Sequence, residues 1–174
     1  TYGLTDHQFK VVANIPYYLS GHLFRRCVAG AIQPRTLVFL VQKEVAQRAA
    51  APLPPQPNSK GSLLALSLQA FGAVTIYKTV GRGHFTPPPA VDSAILTIEN
   101  LSRTFFTDIT EADFFTIIRC GFAAKRKQLQ HNLKQQFATP LVTAALEAAQ
   151  LPPDVRAEDV PLAAWHTLTH KLTP

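Results

Sequence analysis

The sequence predicts the second half of a doubly wound α/β sheet followed by a small all-helical domain, and three observations carry that prediction. Apolar, β-branched runs alternate with segments of helical spacing as far as Asn100. From Thr104 onward only helical spacing remains. The composition, 47% hydrophobic and 16% charged over 174 residues, is that of a globular chain with a core and not of a disordered one. The expected division is residues 1–101 for the α/β part and 102–174 for the helical part.

Val11-Val12 reads as the end of a buried strand, since β-branched side chains pack well on a pleated surface. Pro16 cannot donate to a ladder and pushes Ile15 into an extended conformation, so the strand stops there. Ser20 offers an N-cap oxygen for a helix whose Leu23, Phe24, Cys27 and Val28 recur at helical spacing. Asn14, Pro16 and Tyr17 are thereby expected on a stiff loop at a strand's carboxyl end, where open α/β sheets bind ligands. The next run, "TLVFLVQ" (Thr36–Gln42), is too apolar for a one-sided strand and suits a parallel strand covered on both faces. "KEVAQRAA" then reads as a helix, closed by "APLPPQPNSKG", whose four prolines exclude regular structure. "SLLALSLQAF" is a helix with leucines on several faces, hence buried. "AVTIYKTVG" and "VDSAILTIE" follow as strands joined by "RGHFTPPPA".

In the helical part, "EADFFTIIRCGFAAKRKQLQHNLKQQF" predicts two helices broken near Gly121–Lys125. "TPLVTAALEAAQ" and "PLAAWHTLTHKL" each carry a proline at or near the first turn, where a missing N–H does no harm. There are no internal repeats.

No apolar run reaches the roughly 18 residues that span a bilayer, and nothing reads as a signal peptide. The chain begins at Thr1 and contains no methionine, so we expect a piece of a longer protein. Its net charge of +6 fits a polyanionic partner. Cys27 and Cys120 fall on apolar helix sides without metal-type spacing, which predicts reduced core thiols in a reducing compartment and no metal site.

Three clusters carry candidate chemistry. Asn14-Ile15-Pro16-Tyr17, taken alone, reads first as a strand-ending turn. In "GHFTPPPAVDSAIL" three prolines fix an extended loop that holds Phe85 at low entropic cost, either as core packing or as a stacking platform for a base. Asp92 and Ser93 there suit capping of the loop backbone. The third cluster is basic: Arg119, Lys125, Arg126, Lys127, His131 and Lys134, with no acidic residue between Asp113 and Glu147. A solvated helix face usually mixes signs, so one-signed charge over this length favours phosphate contact.

Together, "VVANIPYYLS", "LVFLVQKEVAQR", "HFTPPPAVDSAIL" and "FFTIIRCGFAAKRKQLQHNL" resemble the KsgA-type 16S ribosomal RNA adenine N6-dimethyltransferases, in order along Val11 to Leu133. The resemblance implies the C-terminal half of a Rossmann-like, S-adenosylmethionine-dependent methyltransferase domain followed by a small helical RNA-binding domain. It also implies a cytoplasmic enzyme that dimethylates two adjacent adenines of a 16S rRNA hairpin loop on the immature small subunit, without membrane or metal. The implied catalytic residues are Asn14, Ile15, Pro16, Tyr17 and Phe85, with Asn14 also touching the methionine end of the cofactor. The six basic residues would bind RNA. The related 23S rRNA methylases share the N-x-P-Y loop, but Q-K-E-V-A-x-R and the triple proline before V-D-S-A favour the small-subunit group. A rival from another class is a non-catalytic RNA-binding or ribosome-assembly protein derived from the same fold. Intact Asn14, Pro16, Tyr17 and Phe85 favour the enzyme, because a pure binder has no use for an amine pocket. One departure stands out. No G-x-G precedes Gly81-Arg82-Gly83, so the family's glycine-rich cofactor turn is expected N-terminal to this chain, and the chain on its own is expected to be inactive.

Overall fold

The computed structural model describes residues 3–16 and 20–173. They form two compact units, Thr1–Ala50 with Ser67–Arg103, and Ala51–Leu66 with Thr104–Pro174.

The first unit is built on a four-stranded sheet in the order β1-β2-β4-β3. The strands are β1 (Lys10–Asn14), β2 (Thr36–Gln42), β3 (Ala73–Val80) and β4 (Ser93–Glu99). Helices α1 (Ser20–Val28) and α2 (Lys43–Ala49) follow β1 and β2, and α3 (Leu63–Gln69) precedes β3. Ser20 is the first residue of α1 and not a cap placed before it.

The β1 strand is not the buried strand expected: it lies at one edge of the described sheet, with Val12 75% exposed. The β2 strand departs from expectation too. It runs parallel to β1 but antiparallel to β4. Only one of its faces is dry: Leu37, Phe39 and Val41 are fully buried, while Thr36, Val38, Leu40 and Gln42 between them are half-exposed. The register explains the dry face, because Leu37, Phe39 and Val41 stand opposite Ile98, Leu96 and Ala94, which are also fully buried. Phe24 of α1 closes over this layer, its ring 5.3 Å from that of Phe39. Burying a phenylalanine this fully contributes about 1.5–3 kcal/mol. The apolar run thus reports a central strand, not an all-parallel sheet.

In the second unit α4 (Glu111–Gly121), α5 (Leu129–Leu133), α6 (Thr139–Ala148) and α7 (Leu162–Leu172) pack around Phe114, Ile117, Leu133, Val142 and Trp165. The α4 helix starts where Thr110 Oγ1 accepts the Asp113 N–H at 3.0 Å, satisfying one of the orphan donors of its first turn. It stops at Gly121, where a Cβ would collide with the Trp165 ring and come within 2.9 Å of Leu129. The α5 helix is one short turn and a half, so the expected second long helix here is mostly turn.

The proline-rich segment belongs to this helical unit and not to the sheet whose helix it follows in sequence. Gly61 N donates to the Glu158 carbonyl at 2.6 Å, and Lys60 Nζ pairs with Glu158 at 3.4 Å and with Asp159. Among the described residues no helix is long and apolar enough to cross a membrane.

Candidate active site

The sheet topology gathers the candidate site at one end. The β1 and β2 strands finish there, β3 finishes there, and β4 begins there, with Asn14 beside Leu40, and Gln42 and Val80 both beside Ser93. The β3–β4 connection therefore emerges at the carboxyl end of β1, the position at which α/β sheets take their ligands.

Pairing to β2 continues one residue beyond β1, through the Ile15 N–H to the Leu40 carbonyl at 3.2 Å, and then Pro16 ends it. The Ile15 side chain is anchored in the core at 1% exposure, whereas Asn14 and Pro16 are exposed. This anchoring matters because it fixes the backbone that presents Asn14. The Asn14 side-chain amide makes no hydrogen bond to another described residue. Tyr17 lies outside the described residues.

Across from Asn14, the β3–β4 loop makes a short turn at Arg82–His84 and then extends at Phe85 (φ −121°, ψ 148°). The turn is tied by Phe85 N donating to the Arg82 carbonyl at 3.3 Å, by His84 Nδ1 on the Gly81 carbonyl, and by the Arg82 N–H donating to Asp92 Oδ1 at 3.0 Å. Asp92 thus satisfies the loop backbone, as its place in the motif suggested. Pro87, in a cis peptide with Thr86, Pro88 and Pro89 follow. The Phe85 ring is half-buried and has no aromatic partner among the described residues. Asn14, Ile15, Pro16, Phe85, Pro89 and Ser93 line one open cleft of about 270 Å³, small for a ligand site and sized for a single ring system. The structure therefore brings four of the five catalytic candidates together.

The cofactor fit is partial. Asn14, exposed at the carboxyl end of β1, is the residue that would meet the methionine end of S-adenosylmethionine. Gly81-Arg82-Gly83 lies in a strand-to-strand connection and not in a strand-to-helix turn, so it is not the family's glycine-rich cofactor turn. Among the described residues no group of three His, Cys, Asp or Glu stands close enough to hold a metal ion. Both cysteines are free thiols, and burial pushes both up from their ordinary range, Arg26 partly opposing this at Cys27. A thiol so disfavoured as thiolate is a poor nucleophile.

In the helical unit Lys125, Arg126 and Lys127 sit in the break between α4 and α5, all exposed, with Arg119 exposed on α4 and His131 exposed on α5. Lys134 is half-buried, its Nζ donating to Gln130 Oε1 at 2.7 Å. None of the six has an acidic partner among the described residues.

The shape of this basic break is set by Asn132, which sequence reasoning missed. Only 3% exposed, it donates from Nδ2 to the Gly121 carbonyl at 2.5 Å and to the Ala124 carbonyl at 3.2 Å, while its own carbonyl accepts Cys120 Sγ–H at 3.3 Å. The available signal was an amide set between Leu129 and Leu133 on an apolar helical face. Asn132→Ala should strand the buried Gly121 carbonyl, while the Ala124 carbonyl keeps the Lys127 N–H, and cost about 1–3 kcal/mol, several degrees in melting temperature. Calorimetric unfolding within a degree of wild type would mean that the amide does not hold the break.

The comparisons with known proteins agree on one family. The family profile described as ribosomal RNA adenine dimethylase matches residues 4–173. A ribosomal RNA small subunit methyltransferase A of Dehalococcoides mccartyi (strain CBDB1) is 34% identical over 165 residues, covering 94% of this chain and 55% of that protein. The protein of the same description from Lactiplantibacillus plantarum is 34% identical over 173 residues, covering 96% and 57%. The chain spans about half the length of these curated relatives. Among solved structures, a dimethyladenosine transferase from Plasmodium falciparum superposes with a TM-score of 0.75 at 23% identity, over 96% of this chain and 67% of that one. The 23S rRNA methyltransferase ErmE superposes with a TM-score of 0.65 at 20% identity, over 99% and 69%. These two likenesses establish the fold, a partial methyltransferase fold, and the profile and curated relatives establish the lineage: this chain belongs to the ribosomal RNA adenine dimethylase family.

Proposed function

We propose that this chain is the substrate-base and RNA-contacting part of an S-adenosylmethionine-dependent enzyme that dimethylates N6 of two adjacent adenines in a 16S rRNA hairpin loop, acting in the cytoplasm on the immature small subunit. The observation that carries this reading is the convergence of Asn14, Ile15, Pro16 and Phe85 on one cleft at the carboxyl end of β1. Full length in the curated relatives is nearly twice this chain, and the complete reaction is assigned to the protein at that length.

Adenine N6 is a poor nucleophile because its lone pair is delocalised into the ring. Asn14 Oδ1 and the Ile15 carbonyl would each accept one of the two amine N–H groups. Acceptors placed off the ring plane favour a pyramidal nitrogen with a localised lone pair, so they stabilise the transition state more than the flat ground state. Pro16 holds Ile15 extended and brings no N–H to compete for the amine's acceptors. Tyr17 and Phe85 would sandwich the flipped base, as enzymes acting on a base out of its stack require. The cofactor, when bound, supplies a methyl group on a sulfonium that needs no metal or covalent nucleophile. Arg119, Lys125, Arg126, Lys127, His131 and Lys134 would hold RNA phosphates. The 16S assignment rests on the Q-K-E-V-A-x-R block and the triple proline.

Phe85→Ala should weaken capture of the flipped adenine by about 1–3 kcal/mol, the usual worth of a base–aromatic stack, and Phe85→Trp should be milder. Single-turnover methylation of the hairpin, followed at saturating cofactor, measures this. Equal rates for Phe85→Ala and wild type would leave Phe85 as loop packing.

A further inference from the structure

The loop that carries Phe85 also walls a second, larger cleft of about 670 Å³, bordered by Gln42, Lys43, Glu44, Gln47, Arg82 and Asp92. Both of its acids are engaged. Glu44 pairs with Arg48 one helical turn away. Asp92 Oδ1 accepts the Arg82 N–H at 3.0 Å, and the Asp92 carbonyl accepts the Lys43 N–H at 3.0 Å. One residue thereby ties down the backbone of both Lys43 and Arg82. Their side chains are left over: Lys43 is half-buried, Arg82 is exposed, and neither has an ion-pair partner among the described residues. A rigidly based pair of unpaired cations in a polar cleft suits an oxyanion, and an arginine fork suits a phosphate.

The position narrows the anion further. Gln42 of this cleft stands opposite Ser93, which lines the cleft of Asn14 and Phe85. The two clefts therefore adjoin at the end of β2. A nucleotide swung out of its stack carries its own phosphodiesters with it, and these need countercharge close to the base pocket. We propose that Lys43 and Arg82 bind the phosphodiester groups of the RNA strand on either side of the target adenine. This rests on the reading of the first cleft as the base pocket.

The test is hairpin binding across a range of salt concentrations, with the protein at the full length of its relatives. Leaving two single-strand phosphates without their cations should lower the slope of log affinity against log salt by about 1.4 in K43Q/R82Q. The charge-keeping K43R/R82K should retain the wild-type slope. Methylphosphonates on both sides of the target adenine should lower the wild-type slope equally and leave that of K43Q/R82Q unmoved. An unchanged slope in K43Q/R82Q, or methylphosphonates that lower both proteins alike, would overturn the role of the cleft and leave the base pocket standing. A wild-type protein without salt-dependent hairpin binding would overturn the base-pocket reading and this inference with it.

Discussion

Asn14→Ala, in the protein at the full length of its relatives, is expected to slow methyl transfer to adenine N6 by on the order of 10²–10³ while RNA affinity stays within about twofold. Asn14 is exposed at the end of β1 and its amide holds no other described residue, so its loss costs the fold little. Ile15 remains buried and hydrogen-bonded to Leu40, so the backbone acceptor stays in place. What disappears is one preorganised acceptor that acts on the pyramidal nitrogen. The effect belongs in the chemical step, read by rapid-quench single turnovers, and not in binding, read by equilibrium titration. Transfer within tenfold of wild type would show that Asn14 does not polarise the amine.

Neutralising Lys125, Arg126 and Lys127 together is the second large effect. All three are exposed in the break between α4 and α5, without acidic partners among the described residues. Every phosphate that goes without its cation should flatten the slope of log affinity against log salt by roughly 0.9, close to three in all, and weaken binding to hairpin RNA or small-subunit particles most at low salt. Because these side chains support no packing, the variant should unfold at the wild-type temperature. A wild-type slope would return the cluster to a solvated surface.

The elements were legible where one side-chain period dominates. The alternating Ser93–Glu99 and the amphipathic Glu111–Gly121 report their structures directly, because burial of one face enforces the period, whereas Val11-Val12 report a strand but not its burial, Val12 being 75% exposed. Pairing direction was less legible. An apolar Leu37–Val41 run is compatible with parallel or antiparallel neighbours, and only the return of β4 decides between them. The place of the proline-rich segment was hidden because its tether to Glu158 and Asp159 spans about a hundred residues of sequence, beyond any local pattern.

The candidate site was legible for a different reason. Asn14, Pro16 and Phe85 break local rules, with proline after a strand and an aromatic held by three more prolines, and such breaks mark places where the backbone is constrained for use. Asn132, Lys43 and Arg82 break none. An amide in a short helix, a lysine beside a glutamate and an arginine between glycines look ordinary until the fold shows what each one meets.

Whether this cleft serves methylation of adenine N6 in small-subunit RNA is tested most directly by nucleoside mass spectrometry. Unmethylated small-subunit particles and large-subunit RNA are each incubated with S-adenosylmethionine and the protein at the full length of its relatives. The expected product is N6,N6-dimethyladenosine at two adjacent positions of one small-subunit hairpin, lost with Asn14→Ala. Methylation confined to large-subunit RNA, or no methylated adenine from a protein that binds both RNA and cofactor, would contradict this function.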